Sequence, residues 1–460
     1  ARTDPHAVHQ EVFDVHPDWI AVDEEGRHRR HWSKPDAWVT CALGPYNVEF
    51  MTDVHQEMVT RYPIQGIFSH RWAGHGICYC EHCRRNFEGA TGLPLPRTRD
   101  PNDASWRSYR LWRETRLLEL ARLWDREIRA IRPDARYIPN SGGGALSDLD
   151  MKALASMTPL LFADRQARSC IATPWANGKN AKEYRAAFGS KPIGGIFSVG
   201  LEAQYRWKDS VQSDAELRIW VAEGIANGMR PWFTKFSAQV YDDRWLDVVA
   251  DLYDWHHRHA GDLVGGEPVA QVAVVYSQQT AAYYGGPEAR AKVESPIQGV
   301  CQALIEARIP FEMVHDRMLD DADLTRFKTL ILPNVAALSD EQCDQLRAFV
   351  RQGGSLVATF ETSRYDAWGR PRMNFGLADL FGVDAVGEVE GPLKNAYLNL
   401  EHSADTADIF LTGLEDAQRM VYGGYHVQVN PNRSPLAPPV TLVPAYPDLP
   451  MEEVYPRRPH

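Results

Sequence analysis

The sequence predicts an α/β protein of two units, a TIM-type (β/α)8 barrel followed by a smaller doubly wound α/β domain. Three observations predict it. The length, 460 residues, exceeds one ordinary domain. Over roughly the first 260 residues, short apolar runs alternate with longer amphipathic stretches, the pattern of a parallel sheet with helices outside it. The pattern then breaks at Gly265-Gly266-Glu267-Pro268 and restarts. Residues 1–262 are assigned to the barrel and 269–460 to the second domain.

In the first unit, Ile64-Gln65-Gly66-Ile67-Phe68-Ser69 reads as a strand. A helical stretch precedes it, with Phe50, Val54 and Met58 recurring every four residues. A long helix follows, carrying Trp112, Leu120, Trp124, Ile128 and Ile131 on one face and stopping before Pro133. Further strands are expected at residues 136–140, 159–163, 192–197 and 230–234, with helices near 214–227 and 244–259. Trp38-Val39-Thr40 and Arg2-Thr3-Asp4, the latter taken as the second strand, bring the count to one or two short of eight. The chain opens on Ala1 without Met and ends without a terminal element, so it reads as N-terminally truncated and cut at both ends. Long, aromatic-rich loops after the strands favour a barrel with its chemistry at the strands' C-terminal ends.

The second unit begins with Val272-Ala273-Val274-Val275-Tyr276, a run suited to a strand buried on both faces. Ser295-Pro296 opens a helix, with Pro where its missing N–H is harmless. Residues 329–333 and 355–359 are strands, and Ser339 with Gln342 forms a capping box. Parallel strands alternating with helices make this unit doubly wound. The last hundred or so residues turn into short strands such as Arg419–Tyr422, whose partners the sequence leaves open.

Seven cysteines are too few and too odd in number for a disulfide framework. Three cluster as Cys78-Tyr79-Cys80-Glu81-His82-Cys83. Thiols one residue apart rarely close a disulfide. Close spacing on a loop does deliver three ligands to a tetrahedral zinc ion, with Cys41, His75 or His82 as the fourth. Four protein ligands make a structural zinc, expected to pin the loop after the Ile64–Ser69 strand.

This loop, with a strand before it and Phe87 after it, resembles the zinc loop of family 42 β-galactosidases. The resemblance nominates Cys41, in Cys41-Ala42-Leu43-Gly44-Pro45-Tyr46, as the fourth ligand. The second domain, from Val272 to Val383, is similar to the β-galactosidase trimerisation domain, which implies a flavodoxin- or glutaminase-like fold and a homo-oligomer, possibly a trimer. The barrel looks closer to a hypothetical glycosyl hydrolase group carrying the same second domain. One departure concerns mechanism. Where family 42 ends its fourth strand with Asn-Glu, this chain reads Ser69-His70, so the family's acid/base glutamate is missing there.

The resemblance and composition together imply a carbohydrate substrate. A net charge of −11 and a pI near 5.8 work against nonspecific binding to nucleic acid or anionic membranes. No apolar run is long enough to span a bilayer. Reduced-cysteine usage favours the cytoplasm, with any N-terminal signal out of view. Trp is frequent, at 14, and flat rings suit sugar faces. Glycoside cleavage needs two carboxyl groups across the scissile bond. Glu202, near the end of the seventh strand, is the expected nucleophile or base, Asp164 the acid, and His70 a further proton donor. Asp4, His6, Trp72, Trp175, Trp207, Trp232 and Lys235 are the expected sugar contacts. The second domain lacks a Gly-x-Cys-x-Gly elbow and a phosphate-binding loop, which leaves it a subunit-contact role. Two other readings stand beside a glycosidase for a galactoside-like or other glycan: a carbohydrate-binding barrel without hydrolysis, and an oligomeric scaffold.

Overall fold

The computed structural model describes the chain except residues 166–171, 203–205, 208–209, 235–241, 321–323, 405–406, 434–436 and 457–460, and the side chains of residues 201, 202, 206, 207 and 408. The chain starts with β1 (Arg2–Thr3), forms an antiparallel side pair from β2 (Ala7–His9) and β3 (Ala37–Val39), then lays down β4 (Gly66–Ser69), β5 (Arg136–Pro139), β6 (Leu161–Ala163) and β7 (Ile193–Ser198). A short antiparallel pair, β8 (Leu201–Glu202) and β9 (Arg206–Trp207), precedes β10 (Met229–Thr234).

β1, β4 and β5 form one parallel sheet and β6, β7 and β10 another. A parallel bridge between Ser141 and Ala163 joins them. The result is an arc in the order β1-β4-β5-β6-β7-β10; among the described residues it does not close into a barrel. This corrects the strand count. Trp38-Val39-Thr40 belongs to the side pair, so Arg2–Thr3 lies directly against β4 and is its neighbour rather than a second strand two places away.

Helices cover the outside of the arc. Ala104–Ile131 is capped by Asp103, whose side chain accepts from Ser105 N, and buries Trp112, Leu120, Trp124 and Ile128. Ile131, expected on that face, is exposed as the helix runs off the core. Met51–Arg61 buries Met51, His55 and Val59, while Phe50 sits one residue outside it and faces solvent. The expected stripe was therefore rotated by one position.

Inside the arc, Phe68 on β4, Phe162 on β6 and Trp232 on β10 meet edge-on or tilted, with centroids 4.1 to 5.5 Å apart. Alternate strands of such a barrel feed the same interior layer, and these three strands alternate. Gly194 on β7 leaves the space: a Cβ there would lie 2.4 Å from the Phe162 ring.

The second domain is a four-stranded parallel sheet of β11 (Val272–Tyr276), β12 (Phe311–His315), β13 (Thr329–Leu332) and β14 (Ser355–Ala358), in the order β12-β11-β13-β14. The Ser339–Gln342 capping box forms as expected. Two antiparallel sheets follow. β15 (Val383–Glu390), β16 (Ala396–Leu400), β17 (Arg419–Tyr422), β18 (His426–Pro431) and β19 (Val440–Val443) pair as β15-β18 and β17-β16-β19, which gives Arg419–Tyr422 its partner.

Buried and half-buried polar groups dock the two domains. Gln278 donates to Ser147 O and Leu149 O, both at 2.9 Å, and Arg317 reaches Glu114 at 2.6 Å and Asp150 at 2.8 Å. Such pairs specify one geometry, because separating them leaves desolvated groups unsatisfied.

Candidate functional site at the strand ends

The four cysteines come together. Cys41 follows β3, Cys80 is the N-cap of the helix Glu81–Thr91, and Cys83 lies in that helix's first turn. The sulfurs of Cys41, Cys78, Cys80 and Cys83 all lie within 4.8 Å of one another, with Cys41 3.4 Å from Cys83 and 3.7 Å from Cys80. Tetrahedral metal–sulfur bonds of about 2.3 Å require sulfur–sulfur edges of about 3.8 Å, so the arrangement fits a four-thiolate centre. Val22 N donates to Cys78 Sγ at 3.4 Å, an outer hydrogen bond of the kind that orients such ligands. Hydrogen bonding with Cys78 pushes the Cys41 thiol well up, while hydrogen bonding with Cys41 pulls Cys78 and Cys80 down. His82 instead contacts Asn86, and His75 packs near Trp32.

At the C-terminal ends of β1, β4, β5 and β6 lies a second, polar constellation. His70 ends β4, Asn140 ends β5 and Asp164 ends β6. Asn140 Nδ2 lies 2.9 Å from His70 Nδ1 and donates to Asp164 Oδ2 at 3.1 Å. An amide nitrogen only donates, so His70 Nδ1 is the acceptor and the ring hydrogen sits on Nε2. Burial is the main effect on His70 and holds its pKa below the ordinary value, against a raising pull from Asp4.

Asp4, just past β1, is 39% exposed and lies 2.7 Å from His6 Nδ1. His6 Nε2 is 3.1 Å from His31 Nε2, and Ser33 N donates to His31 Nδ1 at 3.1 Å. These contacts fix one direction for the chain: Ser33 N–H to His31, His31 Nε2–H to His6, His6 Nδ1–H to Asp4. Burial pushes the Asp4 carboxyl up, but the hydrogen bond from His6 and the attraction of the basic groups around it, Arg71 among them, outweigh it and leave the group below its ordinary value.

Three residues that the sequence reading missed complete this face. Trp32 is 60% exposed, with His31 stacked on it at 4.0 Å and the Arg71 guanidinium 5.0 Å from its ring. Arg71 has φ of 52°, a left-handed conformation that is rare outside glycine and clusters at functional sites. Asn140 was read only as part of a strand.

Of the expected residues, Asp4, His6, His70 and Asp164 converge here. Trp72 does not: it is 1% exposed, and its indole N–H is committed to Asn140 O at 2.9 Å, so it supports the site from the core. Trp175 donates to Gln302 at 2.7 Å and packs against the second domain, which makes it a docking residue. Trp232 joins the interior aromatic layer. Glu202 and Trp207 lie in the β8–β9 pair directly after β7, with side chains outside the described residues. Lys235 also lies outside them.

Comparison with known proteins bears on the fold and on the second domain. Residues 270–395 match the family model of the β-galactosidase trimerisation domain. Among solved structures, β-galactosidase from Bacillus circulans sp. alkalophilus superposes with a TM-score of 0.76 at 16% identity, over 94% of this chain and 70% of its own. The chain has the fold of the family 42 β-galactosidases. The cold-adapted β-galactosidase of Rahnella sp. R3 gives 0.76 at 14% identity, over 96% and 71%. Alpha-L-fucosidase isoenzyme 2 from Paenibacillus thiaminolyticus gives 0.71 at 18%, over 96% of this chain and 61% of its own. Sequence comparison with curated proteins finds no match. Among the described residues, no helix is long and apolar enough to cross a membrane.

Proposed function

We propose that this β-galactosidase-fold chain is a glycosidase that cleaves its substrate at the C-terminal ends of the parallel strands. The observation that carries the reading is the His70–Asn140–Asp164 hydrogen-bonded set beside the Asp4–His6 pair, on adjacent strand ends of that scaffold. Asp164 is assigned as the acid that protonates the leaving oxygen, with Asn140 orienting its carboxyl group. Glu202, directly after β7, is assigned as nucleophile or base. His70 takes a different part from the one its position suggests. A ring kept neutral with its hydrogen on Nε2 supplies a hydrogen bond to a sugar oxygen rather than a proton. Asp4, held charged, accepts from a sugar hydroxyl, and Trp207 and Lys235 add contacts from the neighbouring loops.

The sulfurs of Cys41, Cys78, Cys80 and Cys83 are proposed to hold a structural zinc ion, which would tie the loop after β4 to the segment after β3. The strand order β12-β11-β13-β14 supports a flavodoxin-like second domain, and the match over residues 270–395 supports a homo-oligomer, with a trimer as the specific proposal. A galactoside is the first substrate to try.

A panel of aryl glycosides tests the reading: turnover of at least one, abolished in Glu202→Gln, is expected. One observation favours a second reading. Because β4 ends in Ser69-His70 and not in a carboxylic acid, a barrel that binds sugar without cleaving it has the same geometry. Sugar binding with no turnover across the panel would select it.

A further inference from the structure

We propose that the glycan recognised here is acidic, carrying carboxylate or sulfate groups on more than one sugar; this rests on the glycosidase reading and adds the substrate class. The chain as a whole carries a net charge of −11, yet arginines collect around exposed Trp32, and the carboxylate closest in effect to Arg71, Asp4, is bonded to His6 instead. Among the described residues, none of Arg29, Arg30 and Arg71 has a carboxylate within 4 Å. Arg71 lies over the Trp32 ring and sends Nη1 to within 3.5 Å of His6 Nε2.

Trp32 also lines a neighbouring surface cavity of about 400 Å³ with Arg27, His28, Arg29, Arg30 and His75. The one acid in its wall, Asp23, is already taken by Arg27 at 2.9 Å. Arg29 donates to the carbonyls of His75 and Ile77, and Arg30 to the carbonyl of Pro35 while lying 3.6 Å from the centroid of Trp38. These contacts fix the guanidinium groups in place without pairing them to a carboxylate.

A neutral sugar needs an aromatic face and hydroxyl partners, and gains nothing from fixed uncompensated charge. A carboxylate or sulfate takes the planar fork of an arginine in two parallel hydrogen bonds. Arg71 by the strand ends and the Arg29–Arg30 pair in the cavity share Trp32 as a wall. One anionic group would sit at Arg71 beside the cleavage point, and a second in the cavity.

The test is calorimetric binding of three tetrasaccharides of equal length, one with uronic acids, one sulfated and one neutral, at low and high salt. The expected result is binding of at least one acidic probe about tenfold or more tighter than the neutral one, an advantage that shrinks at high salt. Arg71→Gln and Arg30→Gln should each remove most of that advantage in protein that keeps its wild-type melting temperature, and Arg30→Lys should restore part of it. The acidic probe that binds tighter identifies the charged group. Equal affinity for neutral and acidic probes, or an advantage untouched in both glutamine variants, overturns the proposal. The two readings fail separately: acidic binding without cleavage removes the glycosidase and keeps this inference, and cleavage of neutral glycosides with no acidic preference does the reverse.

Discussion

Asn140 holds His70 and Asp164 together through one nitrogen, 2.9 Å from the imidazole and 3.1 Å from the carboxylate. Three strand ends, those of β4, β5 and β6, are thereby tied into one unit. Replacing Asn140 with Ala should leave the fold intact and free both partners. The expected loss is about 10²-fold in kcat with a small change in KM, the scale of a misplaced reacting group. Nitrogen NMR of His70 should show Nε2 protonated in wild type and a mixture of tautomers in Asn140→Ala.

The side chain of Trp32 is a platform at the site's edge, stacked with His31 and facing Arg71. Trp32→Ala should raise KM by about tenfold with kcat nearly unchanged, since one stacking contact is worth on the order of 1–2 kcal/mol. Steady-state kinetics on any cleaved substrate checks it.

Cys41 draws the segment after β3 onto the loop after β4. Elemental analysis should find about one zinc per chain, and Cys41→Ser should lower the melting temperature by roughly 5–10 °C as the loop loses its clamp. Zinc content and melting temperature both unchanged in that variant would remove the metal assignment.

His55 is buried against Trp124, and burial lowers its pKa to about 4. The unfolded chain takes up this proton near pH 6.5 and the folded chain only near pH 4. Stability from this residue is therefore full above pH 6.5, falls with pH across that window, and is lost to the extent of about 3 kcal/mol at its lower end. Urea midpoints between pH 7 and 4.5 should show the fall, and His55→Leu should flatten it.

Much of the architecture was legible in the sequence because it follows from local rules. Apolar runs separated by amphipathic stretches marked β4, β5, β6, β7 and β10, and the Ser339–Gln342 box and Gly265-Gly266 break were visible as spacing alone. The cysteine cluster was legible for the same reason: three thiols within six residues need no knowledge of the fold to be brought together. The failures are those of non-local geometry. Trp38 and Val39 satisfy strand propensity whether they join the barrel or a side pair, so the strand count slipped. Trp72 and Trp32 are chemically identical, yet Trp72, in the loop after β4, packs into the core beside the long helix while Trp32, between β2 and β3, faces solvent. Asn140 became significant only when β4 and β6 were placed on either side of it. Arg71 owes its position to a left-handed backbone that no pattern in the sequence announces.

The most direct test of the central claim, that carboxyl groups at these strand ends cleave glycosides, is the leaving-group dependence of Asp164→Asn. An acid matters most when the departing oxygen needs a proton. The account predicts a loss of about 10³-fold in kcat/KM on alkyl glycosides, less than about tenfold on a 2,4-dinitrophenyl glycoside, and loss on both in Glu202→Gln. Equal losses on both leaving groups in Asp164→Asn, or no cleavage of either substrate by wild type, would contradict it.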